Sequence, residues 1–306
     1  MTPTGAQSIA ATERDTGLSK DTLRVWERRY GFPAPLRDSS GERAYPPDQI
    51  AKLRLVKRLV DVGHRPGRIV AMPLLQLQQL ADACSTGARE GPGDMSGEDL
   101  DECLGLLRAH DVAGLRRRLG RACMHLGLAR FVTELVAPLN TRVGEAWMRG
   151  QLAVFEEHAY TECVQVVLRN AIERVPEPGP EARPRVLLTT FPEEPHGLGL
   201  LMAEALLALD AANCVSLGVA TPIWDIVLAA RAHASDIVAL SFTGCMNPSQ
   251  VVEGLCELRA KILPHVEVWA GGAAPALHRR PVPGVHAVAA LGQVHDEVQR
   301  WRIGSL

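Results

Sequence analysis

The sequence predicts a multidomain protein of mixed α and α/β class, and three observations support this. The chain has 306 residues, which corresponds to two or three domains at roughly 100–200 residues per domain. Residues 85–94 and 175–184 are rich in Gly, Ser and Pro, as linkers are. Helical periodicity before the second linker gives way to alternating strand and helix signals after it. We therefore expect domains at residues 1–80, 95–174 and 185–306.

The first segment predicts short helices and a β-hairpin. Ser8 and Ser19 are good helix N-caps, and their helices would run to about Arg14 and to Tyr30. Residues 37–43 have the composition of a hairpin tip, and Pro47 can open a third helix.

The other two segments predict a helical bundle and a parallel sheet. Residues 95–174 carry apolar side chains at i, i+3, i+4 spacing, which favours a four-helix bundle. In the third segment we expect strands at 185–190, 213–219, 237–242, 266–270 and 286–290, and helices at 198–209, 223–233, 248–262 and 296–301. This alternation predicts an open parallel sheet with helices on both faces, which binds ligands at the carboxyl ends of its strands.

Composition excludes several classes of protein. Apolar residues make up 46% and charged residues 22%, so wholesale disorder is not expected. No run of 18 apolar residues predicts a transmembrane helix, and the first residues lack the apolar stretch of a secretory signal. The seven cysteines form no C-x-x-C pair, so neither a disulfide framework nor a zinc site is expected. A cytoplasmic protein with no membrane partner fits these features.

The charge is uneven along the chain. Residues 1–75 contain 13 basic and 8 acidic residues, while the remainder contains 20 basic and 27 acidic residues. A head of net charge +5 on a body of net charge −7 suits binding of a polyanion through the head. The alternative is a solvated surface that happens to be rich in arginine.

The second predicted helix has the features of a DNA-recognition helix. It begins with Ser19 and Lys20 and carries Arg24, Arg28 and Arg29. In a major groove, the N-terminal side chains would reach base edges and the arginines would reach phosphates. The alternative is an ordinary amphipathic helix, in which Trp26 belongs to the core.

Together with Gly-Phe-Pro33 and Gly-Glu-Arg-Ala-Tyr45, this stretch resembles the winged helix-turn-helix of the MerR family over about residues 6–75. The resemblance implies double-stranded operator DNA as the partner, with Arg43 and Tyr45 on the wing beside the phosphate backbone. MerR metal sensors carry cysteines beyond the head, near a long coiled coil. This sequence has neither arrangement, so metal sensing is not expected.

A histidine motif follows the first predicted strand of the third segment. It has the form E-P-H-G-L-G and runs from Glu194 to Gly199. A dinucleotide-binding G-x-G-x-x-G motif is not matched, because Met202 stands at the third glycine position. After a further 41 residues comes Ser241-x-Thr243, and after 27 more come two adjacent glycines.

This series resembles the cobalamin-binding signature D-x-H-x-x-G…S-x-L…G-G over about residues 184–303. It implies a Rossmann-like domain in which His196 binds cobalt from the lower face, in place of the nucleotide base. Glu194, where the family usually has Asp, would orient the imidazole.

The same resemblance assigns the remaining motif residues to the nucleotide tail. Ser241 and Thr243 would line the slot for the detached tail, although the family usually has Leu at the position of Thr243. Gly271 and Gly272 would let the backbone approach the tail, where a Cβ would clash.

The middle segment carries the pattern W-x9-E-H, formed by Trp147, Glu157 and His158, with a helix break at 149–151. It resembles the upper-face motif of the CarH/LitR photoreceptors, which are MerR-headed cobalamin regulators. There, Trp, Glu and His surround the adenosyl group. The alternative is a core tryptophan with a surface Glu-His pair. Met148 replaces a family histidine that can ligate cobalt after illumination, and a thioether is a poor ligand for Co(III).

These three modules, in this order, resemble a CarH/LitR-type transcriptional regulator rather than an enzyme. The resemblance implies adenosylcobalamin as cofactor, with methylcobalamin or hydroxocobalamin as alternatives. It also implies a homo-oligomer, expected to be a tetramer, that binds DNA in the dark and dissociates in light. Two other hypotheses are a light-independent cobalamin sensor, favoured by Met148, and a corrinoid methyl carrier, which has no need of the 1–75 head.

Overall fold

A computed structural model describes residues 6–38, 41–61, 64–85, 97–244 and 246–304. The chain divides into two compact units, Met1–Arg89 with Glu145–Leu152 and Glu90–Gly144 with Ala153–Leu306. The helical segment and the sheet thus belong largely to one unit. The domain boundaries expected from the linkers remain predictions, and apart from Ser85 the first linker lies outside the described residues.

The first unit contains short helices and a small antiparallel sheet. Its elements are β1 (Gln7–Ser8), α1 (Ile9–Thr16), α2 (Lys20–Tyr30), β2 (Leu36–Arg37), β3 (Arg43–Tyr45), α3 (Pro47–Asp61), α4 (Pro66–Ile69) and α5 (Leu74–Ser85). β3 is the central strand and pairs with β1 and with β2. The predicted hairpin is therefore present, although its tip at residues 39–40 lies outside the described residues.

The sequence places the starts of α1 and α2 and the end of α2 correctly, whereas α1 runs to Thr16, two residues past the expected end at about Arg14. The Ser8 and Ser19 hydroxyls accept hydrogen bonds from backbone N–H groups in the first turns, at 3.3 and 3.1 Å. Such caps contribute about 1 kcal/mol each. Gly17 and Gly31 end the helices at φ +68°, a conformation that glycine adopts without strain.

Four consecutive helices begin the second unit, as predicted for the middle segment. They comprise α6 (Gly97–Arg108), α7 (Val112–Leu126), a long helix built from α8 (Leu128–Arg130), a π-helical segment (Phe131–Val136) and α9 (Ala137–Met148), and α10 (Val154–Ile172). α7 packs against α10, and α6 contacts both. The stretch 145–152, which includes the end of α9, groups with the first unit.

The remainder of the second unit is an α/β sheet. Its elements are β4 (Arg185–Thr189), α11 (Leu198–Leu209), β5 (Asn213–Ser216), α12 (Ile223–Ala232), β6 (Ile237–Phe242), α13 (Pro248–Lys261), β7 (Glu267–Gly272), α14 (Ala276–Arg279), β8 (Val285–Val288), a 3-10 turn (Leu291–Gln293) and α15 (Val294–Gly304). All strand pairs are parallel, in the order β5-β4-β6-β7-β8. The predicted open parallel sheet is confirmed.

Alternate residues of the strands face two helical layers. Val238 and Leu240 belong to the core beneath α12 and α13, whereas Ala239 and Ser241 face a cavity bounded by α11. α11 also contacts α15 on this side of the sheet and α10 from the helical segment.

The strand order reverses between β4 and β6, so the loops after these two strands diverge and leave a crevice at the carboxyl edge. The histidine motif follows β4, and the Ser-x-Thr motif begins at the end of β6. The topology therefore brings both motifs to the same crevice.

Among the described helices, none combines the length and apolar character that crossing a bilayer requires.

Candidate functional site

A buried carboxylate joins the loops after β4 and β6. Glu194 has a side chain only 1% exposed, and its Oε1 lies 2.6 Å from His196 Nδ1. Its Oε2 accepts hydrogen bonds from the backbone N–H and the hydroxyl of Thr243, each at 2.7 Å. An ionised carboxylate only accepts hydrogen bonds, so a neutral His196 carries its proton on Nδ1. Nε2 is then the nitrogen with metal-binding character.

The hydrogen bonds keep Glu194 ionised despite its burial. Burial by itself raises the pKa of Glu194, but the hydrogen bonds from His196 and Thr243 outweigh this effect and lower the pKa below its ordinary value. The His196 side chain is 51% exposed. The pair therefore presents an oriented imidazole beside the crevice, with a buried negative charge behind it.

A second buried residue, Thr190, fixes the backbone of this loop. Its hydroxyl donates to the carbonyl oxygen of Glu194 at 2.6 Å and accepts from the Ala220 N–H at 2.8 Å. Thr190 is fully buried, and it ties the histidine loop to the loop after β5. Thr190 belongs to none of the motifs predicted from the sequence; its position immediately after a buried strand is the signal that could have identified it.

A cavity of about 300 Å³ lies between α11 and the ends of β6, β7 and β8. Ser241, Gly199, Gly271 and Gly272 line it, as four of the predicted site residues. Thr243 does not line it, contrary to the role expected from the resemblance, because its hydroxyl is turned to Glu194.

Two of these glycines have steric reasons to be glycine. A Cβ on Gly199 would overlap Ser241 Oγ, and a Cβ on Gly272 would overlap the carbonyl oxygen of Phe242. Gly272 also has φ +110°, which side chains rarely adopt. A Cβ on Gly271 would lie 3.5 Å from the nearest atom, Val288 O, which is an ordinary contact. The packing therefore requires glycine at positions 199 and 272, whereas it would tolerate a Cβ at position 271.

The three residues of the W-x9-E-H pattern lie on either side of the predicted helix break. α9 ends directly after Trp147, and Gly150 turns the chain at φ +73° before α10 begins. Glu157 Oε1 accepts from the Thr161 hydroxyl at 2.9 Å, and His158 is 71% exposed. Trp147 belongs to the first unit and the Glu-His pair to the second, and their facing one another remains a prediction.

Helix α2 presents its basic side chains to solvent, as the DNA-binding interpretation requires. Arg24, Arg28 and Arg29 are exposed, whereas Trp26 is buried in the core, as expected. Ser19 caps the helix, and the Lys20 ammonium lies 3.5 Å from Glu13.

The two wing residues differ from the expectation. Arg43 is half-buried and donates from Nε to Glu27 on α2 at 2.9 Å, which raises the pKa of Arg43. Tyr45 is fully buried in the core of the head, and among the described residues its hydroxyl has no hydrogen-bond partner. Burial also raises the pKa of Tyr45. In this conformation the phenol cannot contact a phosphate, because its ring is buried in the core that also contains Trp26.

Known family models match the head and both parts of the second unit. A model described as MerR HTH family regulatory protein matches residues 8–72, and two models described as B12 binding domain match residues 100–171 and 184–297. A MerR head joined to B12-binding modules defines a cobalamin-binding transcription regulator.

Two curated relatives from Myxococcus xanthus narrow this class. The HTH-type transcriptional repressor CarH is 30% identical over 86% of this chain and 87% of its own length. The HTH-type transcriptional repressor CarA is 29% identical over 79% of this chain and 78% of its own length. The chain belongs to the CarH-type family of MerR-headed, cobalamin-binding transcriptional regulators. It is thus a DNA-binding regulator and not an enzyme.

A solved structure supports the fold of the second unit. The monomethylamine corrinoid protein of Methanosarcina barkeri superposes with a TM-score of 0.52 at 16% identity, covering 66% of this chain and 98% of its own. At this identity the likeness concerns the fold of the helical segment and sheet.

The residues present fit a bound cobalamin. The imidazole oriented by Glu194 has a nitrogen with metal-binding character, and the adjoining cavity is a slot in which Gly199 and Gly272 leave no room for side chains. His196, Ser241, Gly199 and Gly272 would hold the cofactor there.

Proposed function

We propose that this chain is a light-responsive regulator that binds operator DNA in the dark as an adenosylcobalamin-dependent homotetramer and releases it on illumination. Bound adenosylcobalamin would supply a cobalt–carbon bond that light cleaves. The observation that carries the proposal is the buried Glu194 carboxylate 2.6 Å from His196, beside a cavity of about 300 Å³, in a chain with a MerR head.

On the lower face, His196 would ligate cobalt through Nε2, since Glu194 holds the proton on Nδ1. Ser241, Gly199, Gly271 and Gly272 would hold the detached tail in the cavity. Thr243 would act through Glu194 and not on the tail.

On the upper face, Trp147, Glu157 and His158 would surround the adenosyl group. The support is the spacing of these residues and the membership of the CarH-type family. Met148 offers a thioether where an imidazole would suit Co(III) better. We therefore expect His158 or water to complete the coordination of cobalt after illumination.

In the dark oligomer, several heads would bind one operator. Ser19 and Lys20 would lie toward base edges, and Arg24, Arg28 and Arg29 toward phosphates. Linking heads of modest affinity can raise the total affinity by about 10²–10⁴-fold without any new contact, provided that the heads reach their sites together. Light would release DNA by shifting a two-state assembly towards separate subunits.

A light-independent cobalamin sensor is the second candidate function, and Met148 is the observation that favours it. In that case methylcobalamin or hydroxocobalamin would serve as well as adenosylcobalamin. The architecture and the lower-face site would be the same.

One experiment separates the two functions. The full chain is loaded with adenosylcobalamin in the dark, and its absorption spectrum, its mass by light scattering and its affinity for operator DNA are measured before and after green light. The photoreceptor function requires a spectral change, a fall in mass and release of DNA. Loading without any light response would contradict the photoreceptor and favour the concentration sensor, and failure to bind any cobalamin would contradict both.

A further inference from the structure

We infer that the floor of the tail cavity selects corrinoids by their lower base, preferring an apolar benzimidazole-type base over a purine base. The inference deepens the proposed function, because it rests on cobalamin binding with a detached tail in this cavity. It concerns which member of the corrinoid class the protein accepts, and it follows from the side chains at the inner end of the cavity.

The register of the sheet separates the mouth of the cavity from its floor. Ser241 pairs with Gly271 at the carboxyl ends of β6 and β7, next to the histidine loop. Two residues further into the sheet, Ala239 pairs with Trp269, and both line the cavity. Leu207, in the last turn of α11, also lines it far from the N-terminal end of that helix, where Gly199 lies.

The floor offers no side-chain hydrogen bond among the residues described there. Of the described lining residues, Ser241 and Trp269 alone carry a polar side-chain atom. Ser241 lies at the mouth, and Trp269 Nε1 already donates to Glu267 Oε2 at 2.7 Å. At this level β6 and β7 pair with each other and, on their other sides, with β4 and β8, which occupies the backbone polar groups of both strands.

Lower bases differ in the polarity of the edge that would face the floor of the cavity. Dimethylbenzimidazole presents a benzo ring with two methyl groups, which apolar side chains can accommodate. Adenine presents an exocyclic amine and ring nitrogens that lose their water partners on burial and find no replacement at this floor. A buried polar group left without a partner costs enough free energy to lower affinity about 10- to 100-fold.

The test uses the full chain in the dark and two adenosylated corrinoids, adenosylcobalamin and its counterpart with an adenine lower base. Dissociation constants are measured by absorption titration under identical conditions. We expect adenosylcobalamin to bind about 10- to 100-fold more tightly. Equal affinities, or tighter binding of the adenine form, would overturn the inference.

The dark titration also separates this inference from the proposed function. A protein that binds both forms with the expected ratio but ignores light would fail as a photoreceptor and still select its lower base. A protein that responds to light with both forms equally would support the photoreceptor function and contradict the selection.

A paired substitution locates the selection at the floor. Ala239→Ser adds a hydroxyl beside Trp269. We expect it to reduce the ratio of the two dissociation constants, adenine form over adenosylcobalamin, at least threefold. Ala230→Ser makes the same chemical change at a buried alanine of α12, in the core on the opposite face of the sheet, and should leave the ratio unchanged. Should Ala239→Ser fail to fold, the wild-type ratio alone decides. A folded Ala239→Ser protein with an unchanged ratio would contradict the role of the floor.

Discussion

Glu194 and Thr243 share two hydrogen bonds of 2.7 Å, and they are the two residues at which this chain departs from the cobalamin-binding signature. The longer arm of Glu, compared with Asp, reaches the loop after β6, and the Thr hydroxyl provides a donor that Leu lacks. The two departures thus compensate for each other, and together they fix the position of the carboxylate that orients His196.

This pairing predicts the effect of Thr243→Val. The variant loses one hydrogen bond to a buried carboxylate, worth about 1.5–3 kcal/mol, so cobalamin affinity should fall at least tenfold. Absorption titration in the dark measures it. Thr141→Val, which removes an exposed hydroxyl bonded within α9, is the matched control. Unchanged affinity in Thr243→Val would show that the hydrogen bond does not position His196.

Thr190→Val should destabilise the second unit by about 1–3 kcal/mol, because the Glu194 carbonyl and the Ala220 N–H would lose their buried partner. Denaturant unfolding of the protein without cofactor measures this loss. Thr190→Ser keeps the hydroxyl and should recover most of the stability. If Thr190→Ser and Thr190→Val lose the same free energy of unfolding, the hydrogen bonds of the hydroxyl do not account for the effect.

Acidification should weaken the second unit through Glu267. Burial raises the pKa of Glu267, but hydrogen bonds from Arg300 and Trp269 outweigh burial and lower the pKa below its ordinary value. A lowered pKa in the folded state contributes stability above the ordinary Glu pKa, and that stability is lost as pH falls through the folded-state pKa.

We therefore expect the free energy of unfolding to fall as pH drops below about 4.3, the ordinary pKa of Glu, by about 1 kcal/mol or less from this half-exposed pair. Arg300→Gln should flatten that part of the profile and lower stability at pH 7. A profile of unchanged steepness would assign the acid sensitivity to other carboxylates.

Arg28→Ala should weaken DNA binding about equally for all sequences and reduce the slope of log affinity against log salt by about 1, since Arg28 is assigned to a phosphate. Gel-shift titrations at several salt concentrations measure the slope. Arg121→Ala removes an exposed arginine from α7 and should leave the slope unchanged. A loss restricted to one operator sequence would assign Arg28 to a base instead.

Tyr45→Phe tests the buried position of the wing tyrosine. Its hydroxyl is buried without a partner among the described residues, so its removal should keep DNA affinity unchanged and stability equal or higher. Thermal unfolding and gel shifts measure the two effects. A severalfold loss of DNA affinity would mean that the phenol leaves the core to contact a phosphate when DNA is bound.

Much of the fold follows from local sequence signals. Ser19 and Gly31 mark the ends of α2, and short apolar runs give the strands of the sheet, including β6 at Ile237–Phe242 as predicted. β5 ends at Ser216, earlier than expected, because Gly218 turns the chain at φ +79°. The bounds of α2 and β6 depend on neighbours in sequence, which is why the sequence alone predicts them.

The site could be predicted only in part. The spacing of Glu194, His196 and Ser241 indicates the kind of site, but the partners of Thr243 and Thr190 depend on how two loops meet at the sheet edge. Tyr45 shows the same limit in the head, since its burial depends on the core that distant residues of the head form together and not on its own motif.

Helix α11 faces the tail cavity with one side and α10, which carries Glu157 and His158, with another. The helix therefore separates the two halves of the candidate site. A larger side chain on α11 cannot be accommodated by shifting the helix, because a shift in one direction narrows the cavity and a shift in the other displaces α10. We therefore expect substitutions on α11 to be tolerated only together with compensating substitutions in both the cavity and α10.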